Sequence, residues 1–248
     1  MTAGRVAALY DIHGNLPALE AVLADVRAAG VERIVIGGDV LPGPMPRESL
    51  ACLLDLDLPT HFIQGNGDRE VVAPTAGGVP ESFRESMRWN AGQLSAEQRQ
   101  LVADWPATLR LRIPKLGDVL LCHATQRNDT EIFTRLTAEQ RLMPIFGTLD
   151  VALAVCGHTH MQFDRAVGSV RVVNAGSVGM PFGAAGAYWL LLGPGVELRR
   201  TPYDLAAAAA RVRATGYPQA EQFAASSILQ PPAEDGILAM FGQTELQQ

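Results

Sequence analysis

Apolar and polar positions follow two rhythms along this chain of 248 residues. Arg5 to Tyr10 is a short apolar run and predicts a strand that stops at Asp11. From Leu16 to Ala29 the period lengthens, with Leu16, Leu19, Val22, Leu23 and Val26 on one helical face. Pro17 suits the first turn of that helix and Gly30 its end. Val31 to Ile36 predicts the next strand, Pro46 to Leu56 a helix, and Thr60 to Gln64 a third strand. Strand, helix, strand, helix, strand is the pattern of a parallel sheet.

Arg69 to Leu109 lacks strand rhythm until its end. Pro74 to Pro80 reads as a loop, and Glu81 to Asn90 and Ser95 to Ala103 as helices, the second with Ser95 and Gln98 spaced as a capping box. Leu109 to Ile113 and Asp118 to Cys122 predict a hairpin around Pro114 to Gly117. A helix from Thr137 to Thr148 leads to a strand at Val151 to Cys156. Gln162 to Val167, Val170 to Asn174, Tyr188 to Leu192 and Val196 to Thr201 read as strands, and Tyr203 to Thr215 as an alanine-rich helix. The expected organisation is a main domain over residues 1–222, with residues 69–109 as a helical cap insertion, and a tail over 223–248 that packs on the surface or on a neighbouring subunit. The apolar end of that tail makes a homo-oligomer an open expectation.

Composition narrows the class. Hydrophobic residues make up 48%, enough for a sizeable core, and the net charge of −6 argues against stable binding to nucleic acid or anionic membranes. A phosphate substrate stays compatible, because bound dications reverse the local field. Cys52, Cys122 and Cys156 have apolar neighbours and no CxxC pairing, which reads as packed free thiols in a reducing compartment. Without a secretory pattern or a long apolar run, a cytoplasmic location is expected.

The chemistry lies where the predicted strands stop. Asp11-Ile12-His13, Gly38-Asp39, Gly65-Asn66-Gly67-Asp68, His123 and Gly157-His158-Thr159-His160 each follow an apolar run. They offer seven oxygen or nitrogen ligands: Asp11, His13, Asp39, Asn66, His123, His158 and His160. One structural metal takes about four ligands. Seven, with a carboxylate shared, suit two ions about 3.5–4 Å apart, an arrangement suited to displacement at phosphorus. Taken singly, Asp-x-His and Gly-Asp are common turn chemistry; the joint order at strand ends is what carries the reading. His61, at the start of a strand, reads as a structural histidine.

This order of motifs resembles the calcineurin-like metallophosphoesterases, over Arg5 to about Leu192. Asp11-Ile12-His13-Gly14-Asn15 and Asn174-Ala175-Gly176-Ser177-Val178 are similar to the small bacterial and archaeal phosphodiesterase branch. The resemblance implies an α/β fold, a four-layer α-β-β-α sandwich with two mixed sheets. It implies two divalent ions (Mn, Fe, Zn, Co or Ni), one held by Asp11, His13 and His160, the other by Asn66, His123 and His158, with Asp39 bridging. It further implies a metal-bridging hydroxide that attacks phosphorus in line, with Asp39, Asn66 and His123 as the catalytic set.

One position departs from that pattern. Many members carry a histidine directly after the motif asparagine, where this chain has Gly67. General acid help is worth about 10²–10⁴-fold, so phosphodiesters and activated esters are expected to be better substrates than alkyl monoesters. Asp68 is expected to orient the loop. Arg69 and Arg127 are candidates to grip a nucleotide-like phosphate ester, with a surface salt bridge as the alternative for each. Asn15 either contacts substrate or fixes the helix start. Phe83, Met87 and Trp89 either touch a base or belong to the core. Competing functions are a non-catalytic metal-binding scaffold, a phosphomonoesterase, and a single-metal hydrolase of different chemistry.

Overall fold

A computed structural model describes residues 4–75 and 81–246. The expected loop from Pro74 to Pro80 therefore lies mostly outside the described residues. The first sheet takes β1 (Val6–Leu9), β2 (Arg33–Ile36), β3 (Thr60–Phe62), β9 (Ala187–Leu192) and β10 (Val196–Thr201) in the order β10-β9-β1-β2-β3. Its β1-β2-β3 part is parallel, as expected, and β9 closes it by pairing antiparallel to β1. The second sheet takes β4 (Thr108–Ile113), β5 (Gly117–Cys122), β6 (Leu153–Cys156), β7 (Phe163–Val167) and β8 (Val170–Asn174) in the order β4-β5-β6-β8-β7. There β5-β6 and β6-β8 are parallel and the outer pairs antiparallel. The residue pattern alone pointed to one parallel sheet; the chain has two mixed ones.

Strand alternation explains the layers. Val6, Ala8 and Tyr10 of the first sheet meet Val119, Leu121, Val155 and Val173 of the second in one core cluster between the sheets. The opposite face of β1, Ala7 and Leu9, packs with Leu19, Val22 and Val26 of α1 (Leu16–Ala28) and Leu50 and Leu53 of α2 (Pro46–Leu54). On the far side, Ala154 and Cys156 of β6 pack with Leu142, Ile145 and Phe146 of α6 (Glu139–Phe146). Helix, sheet, sheet, helix is the four-layer sandwich. Cys122 and Cys156 point into that outer layer as buried free thiols, while Cys52 is half-buried.

Two local outcomes bear on the site. Gly65-Asn66-Gly67-Asp68, a turn by composition, opens α3 (Asn66–Val72). The reason is Asp68, whose carboxylate reaches back to the Gly65 N–H at 3.1 Å and caps the helix. The capping box at Ser95 forms as expected, with Ser95 Oγ accepting from Gln98 N–H and Gln98 Oε1 from Ser95 N–H, at the start of α5 (Ala96–Ala103). Past α7 (Leu205–Arg213) come α8 (Ala220–Phe223), a π-helix (Ala224–Leu229) and α9 (Glu234–Gly242). Phe223, Ala224 and Ile228 pack on Ala208 and Val212 of α7, so the start of the expected tail sits against this same chain.

Candidate metal centre

Both sheets end their parallel strands at one place, the carboxyl ends where open α/β sheets build sites. Asp11 and His13 leave β1, Asp39 leaves β2, and Asn66 starts α3 behind β3; His123 leaves β5, and His158 and His160 leave β6. Backbone hydrogen bonds continue past the strand ends: Asp11 N–H to Gly38 O at 3.1 Å, His13 N–H to Asp39 O at 2.9 Å, and Gly157 N–H to His123 O at 2.8 Å. The ligand loops are thus clamped to one another before any side chain is considered.

The backbone at this place is strained. Asp11, His13, Asp39, His158 and His160 have φ of 53°, 47°, 51°, 65° and 59°. Non-glycine residues rarely enter this left-handed region, and each costs about 1–3 kcal/mol unless its surroundings hold it. Asp68 is one such hold: fully buried, it accepts from Asp39 N–H at 2.8 Å and Leu41 N–H at 2.9 Å. It orients the loop, as its position suggested. Asn174 is another, donating to Gly157 O at 2.6 Å and Thr159 Oγ1 at 3.1 Å beneath the paired histidines. Gly38 is needed for space as well as for its φ of 98°, since a Cβ there would lie 2.5 Å from His123 Nδ1.

Three imidazoles are aimed by backbone carbonyls. Nδ1 of His13, His123 and His160 lies 3.2 Å from Pro42 O, 3.0 Å from Gly37 O and 2.7 Å from Met180 O. With Nδ1–H donated to those carbonyls, each Nε2 points inward, where its lone pair would serve a metal once any proton on it is released. His13 Nε2 and His160 Nε2 stand 3.2 Å apart, a separation that a cation or a proton between them must bridge. Asp11 Oδ2 accepts from His158 N–H at 2.9 Å, while buried Asp11 Oδ1 makes no well-aligned hydrogen bond and lies 3.3 Å from His160 Nε2. A carboxylate oxygen so placed among inward-facing imidazoles is the donor set a divalent ion requires.

The ligand atoms fall in two overlapping groups. Asp11, His13 and His160 form one, and Asp11, Asp39 and His123 the other, each within 4.8 Å. Asp39 Oδ1 takes the Gly67 N–H at 2.7 Å, leaving Oδ2 at 3.8 Å from His13 Nε2 and 3.5 Å from His123 Nε2. One head atom of the Asn66 amide lies 2.9 Å from His158 Nδ1 and 3.1 Å from His123 Nε2. All seven expected ligand residues therefore meet at one centre.

Electrostatics follow from burial and proximity. Burial disfavours a charged His123, yet the Asp39 carboxylate, by charge and hydrogen bond, and Asp11 push it up to about 10. Burial and the neighbouring His123 cation hold His158 down to about 4. Burial pushes the Asp68 carboxyl up to about 8, with Asp39 adding to the shift.

Comparison with known proteins decides the family. The calcineurin-like phosphoesterase superfamily domain matches residues 5–192. The chain belongs to this superfamily. It is similar to a metallophosphoesterase from Sphaerobacter thermophilus, with 26% identity, 91% of this chain and all of that one covered, and a TM-score of 0.71. The hypothetical protein PH1004 from Pyrococcus horikoshii shares the fold at 22% identity, covering 94% of this chain and 100% of that one, with a TM-score of 0.78. The uncharacterized protein MJ0912 from Methanocaldococcus jannaschii is 26% identical over 198 residues, 73% of this chain and 79% of its own length.

Two cavities reach the phosphoesterase centre. One, of ≈ 360 Å³, is floored by His13, Asp39, Asn66, His158 and His160. Its walls include Phe83 and Met87 of α4 (Glu81–Gln93), Met180, Tyr217 and Phe223. The other, of ≈ 240 Å³, touches His123 and is walled by Gln64, Arg69, Gln126, Arg127 and Asp129. Arg69 makes a two-pronged pair with Asp129 at 2.7 and 3.0 Å and a third bond to Glu70 at 2.6 Å. Arg127 pairs with buried Glu131. Both arginines line the cavity, and both make the ion pairs that the salt-bridge alternative expects. Asn15 is fully buried, donates to Gly179 O at 2.9 Å and caps α1 through Ala18 N–H at 3.3 Å. It fixes the helix start. His61 bonds Arg33 at 2.7 Å, away from the centre.

Sequence reasoning missed the Met180, Tyr217 and Phe223 walls. The clearest signal was local: Tyr217 and Phe223 flank a polar stretch containing Gln219 and Gln222, which falls between the expected helix ending at Thr215 and the expected tail starting at 223 and carries no predicted element.

Proposed function

We propose that this chain is a two-metal phosphoester hydrolase that prefers phosphodiesters. The observation that carries the proposal is the convergence of Asp11, His13, Asp39, His123 and His160 with one buried carboxylate oxygen making no well-aligned hydrogen bond. Asp11, His13 and His160 would hold one ion, and Asn66, His123 and His158 the other, with Asp39 Oδ2 between them. A bound pair of this kind acidifies water and neutralises charge at phosphoryl oxygens.

The chain's own residues set the rest. The Gly67 N–H fixes Asp39 Oδ1, so the carboxylate keeps Oδ2 turned to both groups. The carbonyls of Gly37, Pro42 and Met180 hold the imidazoles in position. Beside the centre, position 67 is backbone only. A Cβ there would collide with Leu41 O, so the loop has no room for a side-chain acid. Among the described residues of the larger cavity, Tyr217 is the one titratable group outside the ligand set, and burial raises its hydroxyl pKa. A site with so little proton donation favours substrates whose leaving group departs without it. Two cavities on one centre also suit the two substituents of a diester.

The test is hydrolysis of bis(p-nitrophenyl) phosphate and p-nitrophenyl phosphate after metal stripping and manganese add-back, with Asp39→Ala as control. Metal-dependent diester turnover that exceeds monoester turnover and vanishes in Asp39→Ala is expected. Metal binding with no turnover of either ester would put the non-catalytic scaffold first.

A further inference from the structure

The larger cavity has walls the metal chemistry does not need. Phe83, Met87, Met180, Tyr217 and Phe223 stand around a floor of ligand side chains. They come from α4, the loop after β8 and the segment leading into the π-helix, three parts of the chain distant in sequence. Single π-helical turns recur at functional sites, and here Ser226 and Ser227 of the π-helix line the same cavity. Among the described residues, no lysine or arginine lines this cavity.

We infer that this cavity binds an uncharged aromatic ring carried as one ester substituent of the substrate, with Phe83 and Met87 as its specificity-determining residues. The inference rests on the hydrolase reading for the phosphorus next to it. Three physical points support the ring. The space, ≈ 360 Å³, is large for a methyl or ethyl ester and ample for a ring. Its apolar walls stabilise burial of flat apolar surface at about 25 cal/mol per Å², and thioether and aromatic side chains favour ring contacts. A second phosphate or a carboxylate placed there would be desolvated without a cation to meet it. Gln222, Ser226 and Ser227 at the edge give hydrogen-bonding groups to a heteroaromatic ring, the nucleobase class included.

Phe83 is the place to test this, because its side chain is 47% exposed and its loss leaves the core intact. Calorimetry on the manganese-loaded chain would compare diphenyl phosphate with dimethyl phosphate, with bis(p-nitrophenyl) phosphate turnover followed in parallel. Diphenyl phosphate is expected to bind about tenfold tighter or more, from the burial of one ring. Phe83→Ala should remove most of that ratio and leave dimethyl phosphate affinity unchanged. Equal affinity for the two esters, or a ratio unmoved by both Phe83→Ala and Met87→Ala, would overturn the inference. If turnover persists in that case, the ring site fails alone. A ring preference that disappears in Phe83→Ala without any turnover upholds the ring site and removes the hydrolytic reading.

Discussion

The two cavities at the metal centre differ in what their walls are already doing. On the smaller side every arginine is engaged: Arg69 by Asp129 and Glu70, Arg127 by Glu131. Those walls hold the shape of the His123 loop. On the larger side Phe83 of α4 is half-exposed, and Met87 lines the cavity while also packing against the core beneath the first sheet. The two cavities thus differ in kind: one is walled by ion-paired side chains, the other by apolar and aromatic ones.

The largest effect should fall on both cavities at once. Replacing Asp39 with alanine removes the oxygen that faces His13 and His123. Activity on any phosphoester should drop by about 10²–10³-fold or more, the scale for losing a group that organises transition-state charge. Steady-state kinetics with saturating manganese checks this; loss confined to one substrate would break the shared centre.

Gly67→His comes next. It would put a Cβ against Leu41 O and disturb the N–H that holds Asp39. Destabilisation of about 1–3 kcal/mol is expected for such overpacking, with diester activity lowered and no gain in monoesterase activity. Denaturant melts and the two chromogenic esters read both. A gain in monoester turnover would show that the loop has room for an acid.

Arg69→Ala separates the cavities. Its pair with Asp129 is part-exposed, so a cost of about 1 kcal/mol is expected after allowing for solvent screening. Aryl and alkyl diesters should suffer equally, in contrast to Phe83→Ala. A selective loss would make Arg69 a substrate contact.

A subtler prediction concerns protons. His123 is held protonated up to about pH 10 by Asp39 and Asp11, and a metal requires its neutral form. Its raised pKa adds stability to the metal-free chain that is full below the ordinary value near 6.5 and lost as pH rises through about 10. Metal binding should therefore release at least one proton, with His160, also pushed up by Asp11, adding to the release, and the logarithm of metal affinity should rise by about one or more per pH unit between about pH 7 and pH 9. Titration calorimetry in buffers of different ionisation enthalpy measures this; a zero slope would remove His123 from the ligand set.

The residues that meet at the centre were legible in sequence because short motifs follow each strand and their side chains are rarely used together otherwise. The parallel β1-β2-β3 half was legible from period. The second sheet was not, because a strand's own pattern does not say which sheet it joins; only pairs such as Leu153 with Arg171 do. The cavity walls escaped for a related reason. Phe83 and Met87 sit at helical spacing and look like core, and Tyr217 to Ser227 carries no motif. Arg69, Arg127 and Asn15 adjoin ligands in sequence, and sequence alone left each with two readings; their partners, Asp129 and Glu70, Glu131, and Gly179 and Ala18, are seen only in the fold.

The most direct test of the two-metal centre is a metal count on the purified chain joined to anomalous scattering from manganese-soaked crystals. Two ions per chain, about 3.5–4 Å apart with Asp39 between them, is the expected result. A single ion held by Asp11, His13 and His160, with Asp39 and His123 still paired to each other, would contradict it.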